Sequence, residues 1–180
     1  MMIIKNPKKV FVGTTYPWTE FGKELDKIVT DYNAIGGING GLYVSSANKG
    51  GYPIGLVVSK GEIQNVNCTN YSGLYLIGFD NKDILRIISL ENKTEDEVKN
   101  LVQEEGIRDA VSFQEESSDK NNHFVKLIVN GEARELNGLG SGANPRTVIG
   151  QKKDGTVLLL VTDGRGANGH LGATAADLIE

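Results

Sequence analysis

Four pairs of apolar runs, each joined by a short polar turn, constrain the fold of this chain more than any other feature. Turns such as Asn-Gly and Asp-Gly between two apolar runs are typical of β-hairpins, whose strands are antiparallel. We therefore expect a mixed or mainly antiparallel sheet. The pairs are IGLVVSKGEIQNV around Lys60-Gly61, LYLIGFDNKDILRII around Asp80-Asn81, FVKLIVNGEAREL around Asn130-Gly131 and PRTVIGQKKDGTVLLLVTD around Asp154-Gly155.

Capped or amphipathic segments predict about three helices. The clearest is KTEDEVKNLVQEEG, where Thr94 and Glu97 match a capping box and Gly106 is a stop signal. TEFGKELDKIVTDYN has helical apolar spacing with Thr19 as its cap, and GATAADLIE begins a helix at Thr174. Further strands are predicted in KKVFVGTTY, NAIGGING and RDAVSF. These elements favour an α+β fold with a single domain over residues 1–180.

Composition and charge argue against several classes of partner. The 180 residues carry a net charge of −4 and the pI is near 5.3, whereas binding to nucleic acid or an anionic membrane requires a concentrated positive surface. Any bound anion must therefore be held by local positive groups. The apolar run in MMIIKNPKKVFVG is too short for a signal peptide, and no stretch is long enough to span a bilayer.

Residues suited to nucleophilic or metal chemistry are few. Cys68 is the single cysteine and lies in a polar stretch, which favours an incidental thiol and allows no intrachain disulfide. Of the two histidines, His123 lies in a polar loop and His170 follows Asp163 in a glycine-rich stretch. No spacing of potential ligands is typical of a zinc or calcium site, so we expect neither a metal nor a cofactor.

The segment GRGANG, residues 164–169, matches the G-x-G-x-x-G pattern of dinucleotide-binding loops. Its context argues against that role. Asp163 directly before the first glycine would repel a pyrophosphate, and the preceding strand belongs to a hairpin rather than a βαβ unit. The chain has 23 glycines in several such clusters, which indicate turns where backbone passes close to backbone or to a ligand.

Three glycine-flanked loops contain residue types that suit a phosphate site. NGGLY contains Asn39, NPRT contains Arg146, and TDGR contains Asp163 and Arg165. Guanidinium groups match phosphate oxygens, and a nearby carboxylate can act as acid, base or nucleophile. Because Pro145 forces an extended path, Arg146 is expected to be the first side chain of a strand. A salt bridge between Arg146 and Asp163 at the paired strand ends is an equally good alternative.

The same loops resemble motifs of the phosphodiester glycosidase family. GINGGLY followed by GYPIGLVVSKGEI is similar to the family's Asn-Gly-Gly-aromatic motif and Pro-x-Gly strand. NPRTVIGQKKDGTVLLLVTDGR resembles its Asn-Pro-Arg-Thr and Asp-Gly-Arg hairpin, and GHLGATAADL its Gly-x-Thr helix start. The family includes the domain of the enzyme that uncovers mannose 6-phosphate by removing N-acetylglucosamine from a phosphodiester. It also includes bacterial proteins described as exopolysaccharide-related, and the resemblance spans roughly residues 34–180.

The resemblance implies a hydrolase that cleaves a sugar 1-phosphodiester, such as an N-acetylglucosamine-1-phosphodiester, to free sugar and a phosphomonoester. It implies that Arg146 and Arg165 hold the phosphate and that Asp163 acts as nucleophile or base. A phosphoglycan is the implied substrate, and an extracellular or cell-surface location is implied for family members. The implied substrate-binding residues are Asn39, Gly40, Thr147, Gly164, His170 and Thr174.

The chain also departs from the family pattern. Leu42 stands where an aromatic residue is usual, with Tyr43 beside it, His170 stands where serine is common, and Ala173 where methionine is common. Family members continue to an Asp-Gly-Gly-Gly-Ser-Ser-like segment that helps form the site, so we expect the domain over residues 1–180 to lack this C-terminal segment. The alternatives are a fragment, a site completed by a second chain, or an inactive copy. The competing functional class is a non-catalytic glycan-binding or structural module of a cell-surface or phage assembly.

Overall fold

Antiparallel strands dominate the structure, a computed structural model that describes residues 1–45, 49–69, 71–115, 124–164, 166 and 169–179. Every strand pair named within these residues is antiparallel, and two α-helices accompany the strands, as expected for an α+β fold. The elements are β1 (Met2–Ile4), α1 (Leu25–Asp31), β2 (Leu42–Tyr43), β3 (Pro53–Ser59), β4 (Glu62–Asn67), β5 (Leu74–Asp80), β6 (Leu85–Ser89), α2 (Glu95–Glu104), β7 (Ile107–Gln114), β8 (Ile128–Val129), β9 (Glu132–Ala133), β10 (Arg146–Gln151) and β11 (Val157–Thr162), with 3-10 turns at Pro7–Lys9 and Ala176–Leu178.

The strands form two principal sheets. One has the order β1-β11-β10, and the other has the order β2-β3-β7-β5-β6 with β4 paired to β3. Helix α2 buries Val98 and Val102 in a core cluster that includes Leu56 and Leu76 of the larger sheet. A second core cluster, built on Phe79 of β5 together with Val157 and Leu159 of β11, lies where the two sheets meet. This junction positions the β10–β11 hairpin relative to the larger sheet.

The four predicted hairpins are confirmed as β3–β4, β5–β6, β8–β9 and β10–β11. At Lys60-Gly61 both residues have positive φ, 51° and 82°, and at Asn130-Gly131 the values are 54° and 84°. Two consecutive positive φ angles define the turn type whose twist matches that of paired strands. The turn sequences therefore favour these strand pairs, and at Lys60-Gly61 bonds from the two turn amides to Asp109 and Arg108 add to that local preference.

Helix α2 also begins and ends where the sequence predicts. The Thr94 side chain accepts a hydrogen bond from the Glu97 amide, and the Glu97 carboxylate accepts one from the Thr94 amide at 2.7 Å. This reciprocal capping satisfies two amide groups that a helix start would otherwise leave unpaired. Gly106 follows the helix with φ 61°, a conformation that glycine adopts at little cost.

The predicted first strand in KKVFVGTTY is wrong. The first strand is β1, which pairs with β11, and residues 10–16 lie outside any strand. The reason lies in side chains that occupy the backbone groups of this segment. The Val12 amide donates to the Asp109 carboxylate at 2.9 Å, and the Val12 carbonyl accepts from the Ser59 hydroxyl at 2.8 Å. The segment is thus fixed to the larger sheet without joining its ladder.

The buried strand predicted in NAIGGING is also wrong. Residues 34–40 form no strand, and Ile35 is 98% exposed. The glycines serve a close approach instead, because a Cβ at Gly37 would lie 3.2 Å from a methyl of Val29 and one at Gly36 would lie 2.7 Å from the Met2 methyl. An exposed, glycine-bounded run has neither the burial nor the pairing that stabilises a strand.

The described residues contain two α-helices rather than about three, and α1 starts later than predicted. Thr19 does not cap it: the Thr19 hydroxyl donates to the Phe21 carbonyl at 2.9 Å, and the backbone of residues 19–21 packs against Gly51. The last predicted helix is only a 3-10 turn. The predicted cap is nevertheless formed, because the Thr174 hydroxyl accepts a hydrogen bond from the Asp177 amide at 3.2 Å.

Asp80 makes the stability of the β5–β6 turn depend on pH. Burial would raise the pKa of this carboxyl, but hydrogen bonds from the Ile84 amide, from Arg86 and from the Lys82 amide outweigh it and hold its pKa below the ordinary value. A carboxyl with a lowered folded-state pKa stabilises the fold above its unfolded pKa of about 4 and loses that contribution as pH falls through the folded-state value.

We therefore expect Asp80→Asn to lower the free energy of unfolding by about 1–2 kcal/mol at pH 7, and we expect this difference from wild type to shrink below about pH 4. Urea denaturation at pH 7, 5, 4 and 3 measures the effect. Asp31→Asn, which alters an exposed ion pair with Lys23, is the matched control and should cost little at any of these pH values. If the difference in unfolding free energy between Asp80→Asn and wild type stayed constant down to pH 3, the lowered pKa of Asp80 would be contradicted.

Candidate functional site

The open end of the β10–β11 hairpin carries the central residues of the predicted site. Arg146 is the first residue of β10, as expected from Pro145 before it, and it pairs with Thr162, the last residue of β11. The Arg146 amide donates to the Thr162 hydroxyl at 3.0 Å. Asp163 follows directly, so the arginine and the carboxylate leave neighbouring strands at the same end of the hairpin.

The Arg146 guanidinium binds backbone carbonyls of two other segments. Its Nε donates to the Ala173 carbonyl at 3.1 Å, and its Nη2 donates to the carbonyls of Gly140 and Gly142 at 3.1 and 2.7 Å. No ion pair between Arg146 and Asp163 occurs in the part of the chain that the structure describes. The salt-bridge alternative is therefore not what this arginine does here. The guanidinium instead holds two segments against the start of β10. One is the 140–142 loop, and the other contains Ala173, whose backbone pairs with Asn144.

These hydrogen bonds predict that Arg146→Lys will loosen the loop. An ammonium group keeps the charge but cannot reach three carbonyls in different directions as the planar guanidinium does. We expect a loss of about 1–3 kcal/mol of local stability. Hydrogen exchange at the Ala173 and Ala175 amides, which bind the carbonyls of Asn144 and Gly140, measures it, because these amides should exchange faster in the variant.

Unchanged exchange at both amides would show that the guanidinium contributes nothing to loop stability. A suitable control is Arg134→Lys, because Arg134 lies on the short segment after β9 and has a backbone bond to Leu127 that the substitution leaves in place.

Asp163 and His170 meet at the same hairpin end. The His170 Nε2 atom lies 4.0 Å from the Asp163 Oδ2 atom, and the two side chains are 58% and 80% exposed. Gly164 lets the chain after Asp163 pass close to Pro145, since a Cβ there would lie within 3.0 Å of three ring atoms of that proline. An exposed carboxylate beside an imidazole is accessible to a ligand and attracts the imidazole when the ring is protonated.

The predicted substrate-binding residues fall into two groups. Asn39, Gly40 and Thr147 line the same cleft as Arg146. Gly164 and His170 lie with Asp163 at the hairpin end, outside the residues that line the cleft. Thr174 has a local role, because its hydroxyl accepts from the Asp177 amide at 3.2 Å and its amide donates to the Asp177 carboxylate. The predicted residues Arg165 and His123 lie outside the described residues.

The cleft opens between the two sheets and has a volume of about 2590 Å³. Gln151 joins the sheets at one end: its Oε1 accepts from the Leu85 amide at 2.8 Å and its Nε2 donates to the Asp83 carbonyl at 2.7 Å. Gln151 is the last residue of β10, and Arg146 is the first, so the two residues lie at opposite ends of this strand. The sequence did not predict a role for this glutamine or for the carbonyls of Gly140 and Gly142, which lie in NGLGSG, one of the glycine-rich segments of the chain.

Other reactive groups lie away from the site. Cys68 is buried, and burial followed by the charge of Glu95 raises its pKa to about 11, so the thiol is protonated near neutral pH. Among the described residues no group of three or more His, Cys, Asp or Glu side chains could hold a metal ion. In the same part of the chain no helix is both long and apolar enough to cross a membrane.

Arg146 and Asp163 thus lie at one glycine-bordered hairpin end of an α+β domain. The sequence match assigns this domain to a family: the model described as phosphodiester glycosidase matches residues 32–180. The chain therefore belongs to the phosphodiester glycosidase family, which confirms the resemblance drawn from the motifs, and the family name implies a hydrolase of the glycosidase type. No curated protein and no solved structure matches the chain.

Proposed function

We propose that this protein hydrolyses a sugar 1-phosphodiester, of the N-acetylglucosamine-1-phosphodiester type, to free sugar and a phosphomonoester. The observation that carries the proposal is that the family match includes both Arg146 and Asp163, which lie at one hairpin end. Residues 1–180 would act as one phosphodiester glycosidase domain on a phosphoglycan or related substrate.

In the proposed reaction the bond between the anomeric carbon and the phosphate oxygen breaks. The phosphomonoester leaves with the bonding electron pair, and water supplies the new anomeric hydroxyl. Arg146 and Arg165 stabilise the negative charge that grows on the leaving phosphate. Three carbonyls already orient the Arg146 guanidinium, and its Nη1 amino group takes no part in those bonds, so that group can face the phosphate.

Asp163 acts at the anomeric carbon, either as the nucleophile or as the base that takes a proton from water. Its 80% exposure leaves the carboxylate accessible, and His170 at 4.0 Å contacts the substrate on the same side. Asn39, Gly40 and Thr147 hydrogen-bond the sugar along the cleft, while Gly164 and Thr174 shape the loops around it. Because a phosphate is a better leaving group than an alcohol, one carboxylate is sufficient for this scheme.

A glycan-binding module without turnover is the second candidate, as part of a cell-surface or phage assembly. The specific observation in its favour is that three carbonyls already engage Arg146. An arginine whose main task is to fasten loops leaves less of its guanidinium for a phosphate.

Hydrolysis of a defined sugar 1-phosphodiester in water enriched in ¹⁸O tests the proposal. Phosphorus NMR should show a phosphomonoester, and mass spectrometry should place ¹⁸O in the released sugar. Label in the phosphate would mean cleavage of the phosphorus–oxygen bond and would overturn the glycosidase mechanism. Binding of the substrate with no product after prolonged incubation would favour the binding module.

A further inference from the structure

The cleft beside β10 has a charge that differs from that of the whole chain. The chain as a whole has 23 acidic and 19 Lys and Arg residues. Among the described residues that line the cleft there is no Asp or Glu, whereas five are basic. The basic residues are Arg86, Lys126, Arg146, Lys152 and Lys153. A cleft with one sign of charge and apolar walls concentrates ligands of the opposite sign.

Carboxylates neutralise two of these five cations. Arg86 binds Asp80 and Glu105 at 3.1 and 2.5 Å, and Lys126 binds Glu115 at 2.6 Å. The other three are Arg146, Lys152 and Lys153, which have no ion pair in the described parts of the chain. The cleft cations that form no ion pair therefore lie at the two ends of β10.

The two ends of β10 are too far apart to share one phosphate. Lys152 lies six positions after Arg146, which corresponds to about 20 Å of extended chain. The Lys152 amide binds the Thr156 carbonyl, and because such bonds alternate along an antiparallel pair, the backbone groups of Thr147 and Ile149 point away from β11. The edge between the cations thus offers hydrogen-bond donors and acceptors of the kind that sugar hydroxyls need.

Charged groups of both signs surround the lysine end. Asp154 is exposed in the β10–β11 turn, where its carboxylate accepts a hydrogen bond from the Thr156 amide at 2.9 Å. This bond and then the charge of Lys152 lower the pKa of Asp154, so the carboxylate offsets part of the charge of the two lysines. The 3-10 turn that carries Lys8 and Lys9 approaches the hairpin turn, since a Cβ at Gly155 would lie 3.9 Å from Pro7.

We propose that the cleft binds an anionic glycan chain with several phosphodiester units, and that Lys152 and Lys153 form a second anion subsite at the end of β10 opposite Arg146. The inference rests on the proposed function and names its substrate class as a polymer rather than a single small diester. One phosphodiester lies at Arg146 and Asp163, the sugars run along the β10 edge, and a later phosphate lies at the lysines.

Binding of a fluorescent oligomer of four sugar 1-phosphodiester units, compared with its single-diester fragment, tests this inference. Fluorescence anisotropy measures affinity independently of turnover. The wild-type chain should prefer the oligomer, and K152Q with K153Q should reduce that preference by about 5- to 10-fold and flatten its dependence on salt concentration. K23Q with K27Q, two exposed lysines outside the cleft of which the first precedes α1 and the second lies on it, is the matched control and should change neither affinity.

Equal affinity of the wild-type chain for oligomer and fragment would overturn the second subsite, as would an oligomer preference that survives the loss of both lysines. A preference that is insensitive to salt would also overturn it and would favour an extended peptide as the occupant of the cleft. Oligomer binding that depends on the lysines without any hydrolysis would support the subsite while the proposed catalytic function fails.

Discussion

Replacing Asp163 by asparagine is expected to lower kcat for hydrolysis of a sugar 1-phosphodiester by about 10²- to 10⁴-fold, the range typical of removing a base or nucleophile. The same change should leave the free energy of unfolding within about 0.5 kcal/mol of wild type, because the side chain is 80% exposed and its ion-pair contact with His170 is at 4.0 Å. Initial rates of sugar release and urea denaturation measure the two quantities on one preparation.

Asp154→Asn is the matched control for this experiment. Asp154 lies at the opposite end of the same hairpin, and asparagine retains the oxygen that accepts the bond from the Thr156 amide. It should change neither the rate nor the stability. If Asp163→Asn hydrolyses the substrate as fast as wild type, the carboxylate has no role at the anomeric carbon. A large loss of stability in that variant would instead give Asp163 a structural role.

Local signals explain which parts of the fold were predictable. A two-residue turn such as Lys60-Gly61 or Asn130-Gly131 requires positive φ from its own residues, so the signal for the hairpin is present in neighbouring amino acids. The capping box of α2 likewise depends on residues three positions apart. The segment around Val12 differs, because its partner Asp109 is 97 residues away. The residue types around Val12 favour a strand, but the side chains of Asp109 and Ser59 in the larger sheet bind the backbone groups of Val12 instead.

The candidate site shows the same limit. Pro145 made it possible to predict that Arg146 starts a strand, and the Asp154-Gly155 turn paired that strand with the one before Asp163. The partners of the guanidinium were not predictable, since the Ala173 carbonyl lies 27 residues away and has no side-chain signature. The sequence suggested that Arg146 binds either a phosphate or Asp163. The structure shows a further role, because the guanidinium binds backbone carbonyls of two loops.

The N-terminal segment and the larger sheet are joined by the most heavily bonded ion pair of the described residues. Asp109, 3% exposed, accepts hydrogen bonds from the amides of Val12 and Lys60 and from Arg108, whose Nη1 lies 2.6 Å from its Oδ2. Arg108 also donates to the carbonyls of Val10 and Pro7 at 2.8 and 3.0 Å. Removal of the carboxylate would leave the part-buried amide bonds of Val12 and Lys60 without their acceptor, and Arg108 would keep only its second ion pair among the described residues, with Asp83 at 3.2 Å.

We therefore expect Asp109→Ala to lower the free energy of unfolding by about 3–5 kcal/mol, because three hydrogen bonds to a buried carboxylate are lost together. For a chain of this size that is a fall in Tm of about 6–20 °C. Chemical and thermal denaturation measure it. Asp31→Ala is the control, because its ion pair with Lys23 has a similar distance, 2.7 Å, but both side chains are about half exposed, and such pairs contribute about 0–1 kcal/mol. Similar losses in the two variants would mean that burial does not set the strength of the Asp109 network and that the N-terminal segment is held by other contacts.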